Sequence, residues 1–237
     1  MRIIKGKNFI LRPFRKGAAL SKRQKVDSQK FERNQNVFEK LYQELKERYG
    51  LPKGQWSLWC KRPKTTQERE QIIIEAILTQ RTNWRNVELV MENLRKANVR
   101  SLKDILRLGP KKLAKLIKAS GFYRAKAQYL FNLAKFIIEN YGSISEMKKK
   151  NWKKLRKELL QLRGIGPETA DSILLYALDK PLFVIDEYTK RLVKKRKMTK
   201  NFNYSFLQKL FEKNLKRNFR LYQDFHALIV IDGKNSK

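Results

Sequence analysis

The feature that most limits how this 237-residue chain can fold is the spacing of its apolar side chains. They recur at intervals of three and four along nearly every segment from about residue 31 onward, and no run alternates at a spacing of two. Such spacing puts a stripe along one side of a helix but mixes both faces of a strand, so the chain reads as all-α. Phe38, Leu41, Tyr42 and Leu45 share one face of a helix expected over about residues 31–49 and stopped by Gly50. Thr65 with Glu68 forms a capping box that opens the next long helix. There Ile72, Ile73, Ile74, Ile77 and Leu78 wrap almost the whole circumference, as a central, buried helix requires. Ser101 caps a further helix that Gly109 ends, Pro110 starts another that stops at Gly121, and a long pattern then runs to Gly142. The stretch "LPKGQWSLWCKRPKTT" reads as a loop.

Charge narrows the partner. Against 56 Lys plus Arg stand 22 Asp plus Glu, a formal charge of +34, which far exceeds what solubility needs and suits a polyanion. Hydrophobic residues make up 41% and aromatics 11%, enough apolar surface for a folded protein instead of a basic tail. The one cysteine, Cys60, excludes an internal disulfide, a CxxC pair and any cysteine-built zinc or iron–sulfur site within the chain. No stretch approaches the ~18 uninterrupted apolar residues of a membrane span, and the N-terminus has no signal-peptide core, so an intracellular protein of the cytoplasm or nucleoid is expected. Residues 1–30 form a basic extension, acid-free to residue 26, that suits a DNA-contacting arm better than a mitochondrial transit peptide.

Residues 162–175 read "LRGIGPETADSILL". Leu155, Leu159 and Leu162 mark one helix, Gly164 and Gly166 permit a tight reversal, and Pro167 pre-sets the first turn of the next. The result is a helix-hairpin-helix at about residues 152–178. It is either ordinary punctuation between two helices or a backbone that approaches a phosphate and offers it helix N-terminal amides. Asp186 follows the apolar run "LFVI" and precedes "EYTKRL", where it can cap a helix through the amide of Tyr188 or Thr189. Held in a cleft beside a phosphodiester, the same carboxylate can also stabilise positive charge on a deoxyribose or orient a water against it.

The ordered set "AILTQRTNW", "GFYRAKAQ", "LRGIGPETA" and "FVIDEYTKR" resembles the helix-hairpin-helix DNA glycosylases of the endonuclease III superfamily over about residues 66–195. The resemblance implies a base-excision-repair enzyme that hydrolyses the N-glycosidic bond of a flipped, damaged base in double-stranded DNA. It assigns Asp186 as the catalytic carboxylate. Gly164, Ile165 and Gly166 fall on the hairpin that grips DNA phosphate, in many members through a monovalent cation held by the hairpin backbone. No side-chain metal site is implied. Gln80 falls on the residue that fills the gap left by an everted nucleotide, and Phe122 on the wedge that props open the base stack. Phe122 also reads as a core aromatic, and Lys126 joins the expected DNA contacts.

Departures from the family pattern sharpen the expectation. Where bifunctional members place a Schiff-base lysine, this chain has Glu168, and a carboxylate cannot form that adduct, so direct hydrolysis without efficient lyase activity is expected. The C-terminal "FHALIVIDGKNSK" lacks the four cysteines of an iron–sulfur loop, so no cofactor is expected. The branch it most resembles is the cluster-free 3-methyladenine glycosylase. An alkylated purine is cationic, and Trp84, Trp59 and Trp56 are candidate walls for it, with core packing the rival role for each. His226 reads as a packed, hydrogen-bonded helix residue instead of a general base. The lysine runs "MKKKNWKK" and "KKRK" read as solvated faces, with a subset near the hairpin contacting phosphate.

The architecture expected is a six-helix barrel over residues 66–181 and a second helical domain built from 31–65 and 182–237, with the active-site cleft between them, in a monomer. Two other readings stand beside it. One is a glycosylase for another lesion class, such as an oxidised pyrimidine or a mismatch. The other is a non-catalytic helix-hairpin-helix DNA-binding protein, which needs neither Asp186 nor the pocket rings.

Overall fold

A computed structural model of the chain describes residues 37–235, and every regular element among them is helical. The basic extension of residues 1–30 and the first residues of the helix expected from 31 lie outside the described residues. In chain order the helices are α1 (37–49), α2 (Trp56–Trp59), α3 (Thr66–Leu78), α4 (Trp84–Lys96), α5 (Leu102–Leu116) and α6 (Tyr123–Tyr141). Then come α7 (Ile144–Lys149), α8 (Trp152–Gln161), α9 (Pro167–Ser172), α10 (Glu187–Lys195), α11 (Tyr204–Asn214) and α12 (Phe219–Asn235). A wide π-helical turn, Ile173–Ala177, continues α9. Among the described residues no helix is long and apolar enough to cross a membrane.

Local chemistry sets the boundaries. Thr65 Oγ1 accepts from the amide of Glu68 while the Glu68 carboxylate accepts from the amide of Thr65, and Ser101 with Asp104 repeats the device on α5. Within α5 the backbone leaves the helical region at Gly109 (φ 73°, ψ 160°), so Leu102–Leu116 is in effect two short helices broken where Gly109 and Pro110 break the pattern. One expectation is corrected: the tryptophan-bearing stretch before α3 is not all loop. It holds α2, a single turn too short to show a period, and that turn points both Trp56 and Trp59 inward.

Helix α3 is the axis of the molecule. Ile72, Ile73, Ile74, Ile77 and Leu78 are all buried, and around them pack α4, α6, α7, α9 and the wide turn. Charges on this buried helix are each satisfied, as burial demands. Glu70 accepts from the amide of Leu102 at 3.1 Å, Glu75 accepts from Trp59 Nε1 at 2.6 Å, and Arg69 pairs with Asp179 at 2.8 Å. The N-terminal helix returns to the C-terminal ones. Phe38 meets Phe211 edge-on at 4.9 Å, and Asp232 on α12 accepts from Tyr49 Oη at 2.8 Å and pairs with Arg48 at 3.1 Å.

The angle between α8 and α9 is held by a buried carboxylate. Asp171, fully buried on α9, accepts from Arg156 Nε (2.6 Å) and Nη2 (3.0 Å) on α8, and from Tyr204 Oη (2.8 Å) and Gln208 Nε2 (2.7 Å) on α11. Removing one partner of a buried, hydrogen-bonded pair costs about 3–5 kcal/mol. Asp171→Ala is therefore expected to lower unfolding free energy by about that amount, read from urea denaturation.

Candidate functional site

The hairpin explains its own glycines. At Gly164 the backbone takes φ +86°, and an added Cβ would sit 2.3 Å from the ring of Tyr129, so both conformation and contact require glycine. Gly166, with φ −87°, faces open space, and a Cβ there would meet nothing in the protein. Gln80, in the loop after α3, donates through Nε2 to Gly164 O at 2.9 Å and Thr169 Oγ1 at 3.1 Å, which docks that loop on the hairpin.

The position of Phe122 excludes one of its two readings. It stands just before α6 in the left-handed region (φ 45°) with 67% of its surface exposed, so it is not a core aromatic. Holding a bulky residue there costs ~1–3 kcal/mol, strain of the kind that concentrates at functional sites. Lys126 is a correction. Its side chain turns inward, only 2% exposed, and its ammonium donates to Leu78 O (2.8 Å) and Ser120 O (2.7 Å). Burial lowers its pKa to about 8. Lys126 borders the cavity along the hairpin, but its ammonium is committed to the carbonyls behind the Gln80 and Phe122 loops.

Asp186 is the N-cap of α10. Its Oδ1 accepts from the Thr189 amide at 2.7 Å and from Thr189 Oγ1 at 2.8 Å, the cap the sequence indicates. Its Oδ2 lies 3.6 Å from His226 Nε2. Burial by itself would raise the pKa of this carboxyl, but His226 and the bonds from Thr189 outweigh it and hold the group below its ordinary value. Glu168 goes the other way: the surrounding protein and the negative charge of Asp186 raise it. Two carboxyls in one cleft are thus pushed apart in acidity, the arrangement that gives paired carboxyls different roles.

Asp186 and Glu168 line one cavity of about 280 Å³, together with Trp56, Trp59, Trp84 and His226. The three tryptophans expected at a base pocket are therefore brought together. Trp56 and Trp59 are core residues, edge-on to each other at 5.7 Å, and both also line the cavity. Trp84, at the start of α4, is half-buried and anchored through Nε1 to Glu88 at 2.9 Å. A second cavity of about 500 Å³ lies along the hairpin, bounded by Gln80, Phe122, Gly164 and Gly166, and Glu168 borders both. Among the described residues no group of His, Cys, Asp and Glu converges as a metal site would need.

Several lining residues escaped the sequence. Tyr188 follows Asp186 by two positions in "DEYTKR" and faces the cavity. Gln55 and Lys234, 179 residues apart, meet at its wall, with Lys234 Nζ donating to Gln55 Oε1 at 2.5 Å. Only the spacing of Tyr188 from Asp186 could have signalled any of them.

The model of the family described as HhH-GPD superfamily base excision DNA repair protein matches residues 74–217. A Methanocaldococcus jannaschii protein, provisionally named a DNA repair glycosylase, is 42% identical over 202 residues, which span 83% of this chain and 88% of its own length. Endonuclease III of Thermotoga maritima is 29% identical over 132 residues, 55% of this chain and 58% of its own. Among solved structures, the H. pylori 3-methyladenine DNA glycosylase bound to 1,N6-ethenoadenine aligns with a TM-score of 0.70 at 28% identity, covering 86% of this chain and 98% of that one. A trapped endonuclease III–DNA covalent intermediate aligns with a TM-score of 0.66 over 85% of this chain and 86% of that one; at 18% identity it shares the fold.

Proposed function

Because the chain belongs to the HhH-GPD superfamily of base excision DNA repair proteins and is a DNA N-glycosylase, we propose that it releases an alkylated purine such as 3-methyladenine by direct hydrolysis, without efficient lyase activity. The observation that carries the reading is the cavity itself. Asp186, with Oδ1 bound to Thr189, lines it together with three tryptophans, and Glu168 rather than a lysine borders the space.

A purine methylated at a ring nitrogen carries positive charge and is already a good leaving group, so little proton donation is needed. Aromatic faces attract such a cation by ~0.5–2 kcal/mol each, and carboxylates add to that attraction. As the glycosidic bond breaks, its electrons leave with the base and the sugar becomes positive. The ionised Asp186 is placed to stabilise that charge, and water then adds to the sugar carbon and loses a proton. The relative from H. pylori, named a 3-methyladenine glycosylase, supports the substrate assignment.

On the DNA side, the hairpin around Gly164, Ile165 and Gly166 takes the backbone. A monovalent cation held by that backbone fits the same reading. Phe122 wedges the stack and Gln80 fills the gap. Among the described residues we assign 66–181 to a barrel and 37–65 with 182–235 to a second unit, acting as a monomer with the cavity between them. The reading calls for no cofactor: an iron–sulfur cluster takes four ligands, usually thiolates, and the only thiol, Cys60, has its pKa pushed up to about 12 by burial.

The test is a panel of duplexes, each with one defined lesion: alkylated purine, oxidised pyrimidine, or mismatched thymine. Free base is expected from the alkylated purine fastest, and a stronger preference for either of the others would replace the substrate assignment. Borohydride added during turnover is expected to trap no protein on DNA, since Glu168 cannot form a Schiff base. Robust trapping would show that a lysine acts as nucleophile.

A further inference from the structure

Among the described residues a few buried polar side-chain atoms lack a hydrogen-bond partner, and one of them, His226 Nε2, belongs to a residue lining the cavity that holds Asp186. An orphaned buried nitrogen needs a physical reason. The ring is fixed on every side. It stands edge-on to Trp56 at 5.7 Å and to Phe183 at 6.4 Å, and its Nδ1 lies 2.7 Å from the hydroxyl of Tyr176, a fully buried residue of the wide turn.

The hydrogen-bond network narrows where the imidazole protons can sit. Tyr176 has one hydroxyl hydrogen and two acceptors in reach, His226 Nδ1 at 2.7 Å and Gln223 O at 3.2 Å. Donation along the shorter contact leaves Nδ1 as acceptor and puts the imidazole hydrogen on Nε2, aimed at Asp186 Oδ2. Donation to Gln223 O would require Nδ1–H, and Nε2 would then face a carboxylate as a bare lone pair unless the ring were doubly protonated. Either arrangement compatible with an ionised Asp186 turns an N–H toward Oδ2.

We infer that His226, held by Tyr176, is a positioning residue for Asp186, presenting an Nε2–H to Oδ2 while Thr189 holds Oδ1. This rests on Asp186 being the catalytic carboxylate. At 3.6 Å the contact is longer than a full hydrogen bond, so it acts on Asp186 mainly through charge and dipole. Other titratable or charged groups near the pair are Glu168 from α9, Tyr176 from the wide turn, Tyr188 from α10, Lys234 from α12 and Arg81 from the loop after α3, with Glu187 and Lys190 acting on Glu168.

His226 is the only histidine, so one set of imidazole ¹⁵N signals reports on it. The expected spectrum at neutral pH has a protonated Nε2, with Nδ1 as acceptor or the ring doubly protonated. Neutral imidazole protonated only on Nδ1 would overturn the inference whatever the substrate proves to be. Single-turnover release of methylated purine from dimethyl sulfate-treated duplex supplies the second readout. His226→Phe is expected to slow release about tenfold at unchanged duplex affinity and to move the acid limb of the rate profile to higher pH, since it removes an influence that lowers Asp186. His226→Gln, which keeps an N–H, should recover most of the rate. Tyr176→Phe keeps the core shape and should shift the acid limb in the same direction, so it carries the test if His226→Phe fails to fold. Loss of excision in Asp186→Asn with unchanged rate and profile in the His226 and Tyr176 variants would sink this inference alone. Full excision by Asp186→Asn would sink the catalytic assignment beneath it.

Discussion

Replacing Asp186 with Asn is expected to leave the fold and duplex binding in place while base release falls at least ~10²-fold, the scale for losing one key charged group at a reacting centre. The two carboxylate oxygens explain why the effects separate. Oδ1 caps α10 through Thr189, a task an amide oxygen performs equally well, whereas the negative charge of the carboxylate has no substitute in Asn. A purely structural Asp186 predicts almost no change in rate. The same group ties stability to pH: its folded pKa lies below the unfolded value, so it stabilises the fold above the unfolded carboxylate pKa and loses that contribution as pH falls through the lowered one. Single-turnover kinetics beside urea denaturation would measure both.

Salt is the second large lever. A chain of formal charge +34 that grips a duplex by its phosphates releases counterions, and log K falls by about 0.9 per phosphate contacted for each unit of log salt. With ~6–10 contacts, affinity is expected to drop ~10³–10⁵-fold between ~50 and ~200 mM salt, to similar extents for damaged and undamaged duplexes. Fluorescence anisotropy over that range measures the slope, and a flat response would contradict the hairpin and its lysines as a phosphate-binding surface.

How much of this was legible from residues alone depended on how far apart the interacting groups lie. Thr65 with Glu68, Ser101 with Asp104, and Gly109 with Pro110 act within four positions, so helix starts and breaks stood in the sequence as they stand in the structure. Helix α2 did not, because four residues carry no period. The glycine at 164 was legible as a reversal, but its second cause, the Tyr129 ring against it, comes from another helix. Lys126 misled because basic residues beside a DNA-binding motif suggest phosphate; its actual partners, the carbonyls of Leu78 and Ser120, lie 48 and 6 positions away. His226 was correctly read as packed and hydrogen-bonded. That its other nitrogen faces Asp186, 40 residues earlier, follows only from α12 lying against α10 and the wide turn. The chemistry that does not show in sequence is the chemistry that side chains acquire from distant neighbours.

The central claim is hydrolysis of a single glycosidic bond by Asp186 with no lysine adduct. Its most direct test uses an end-labelled duplex, methylated with dimethyl sulfate and incubated with the full chain. The account predicts free methylated purine in solution and a labelled strand that stays intact until alkali cleaves it at the emptied sites. An intact duplex with no free base, or strand scission that keeps pace with base release before alkali, would contradict it.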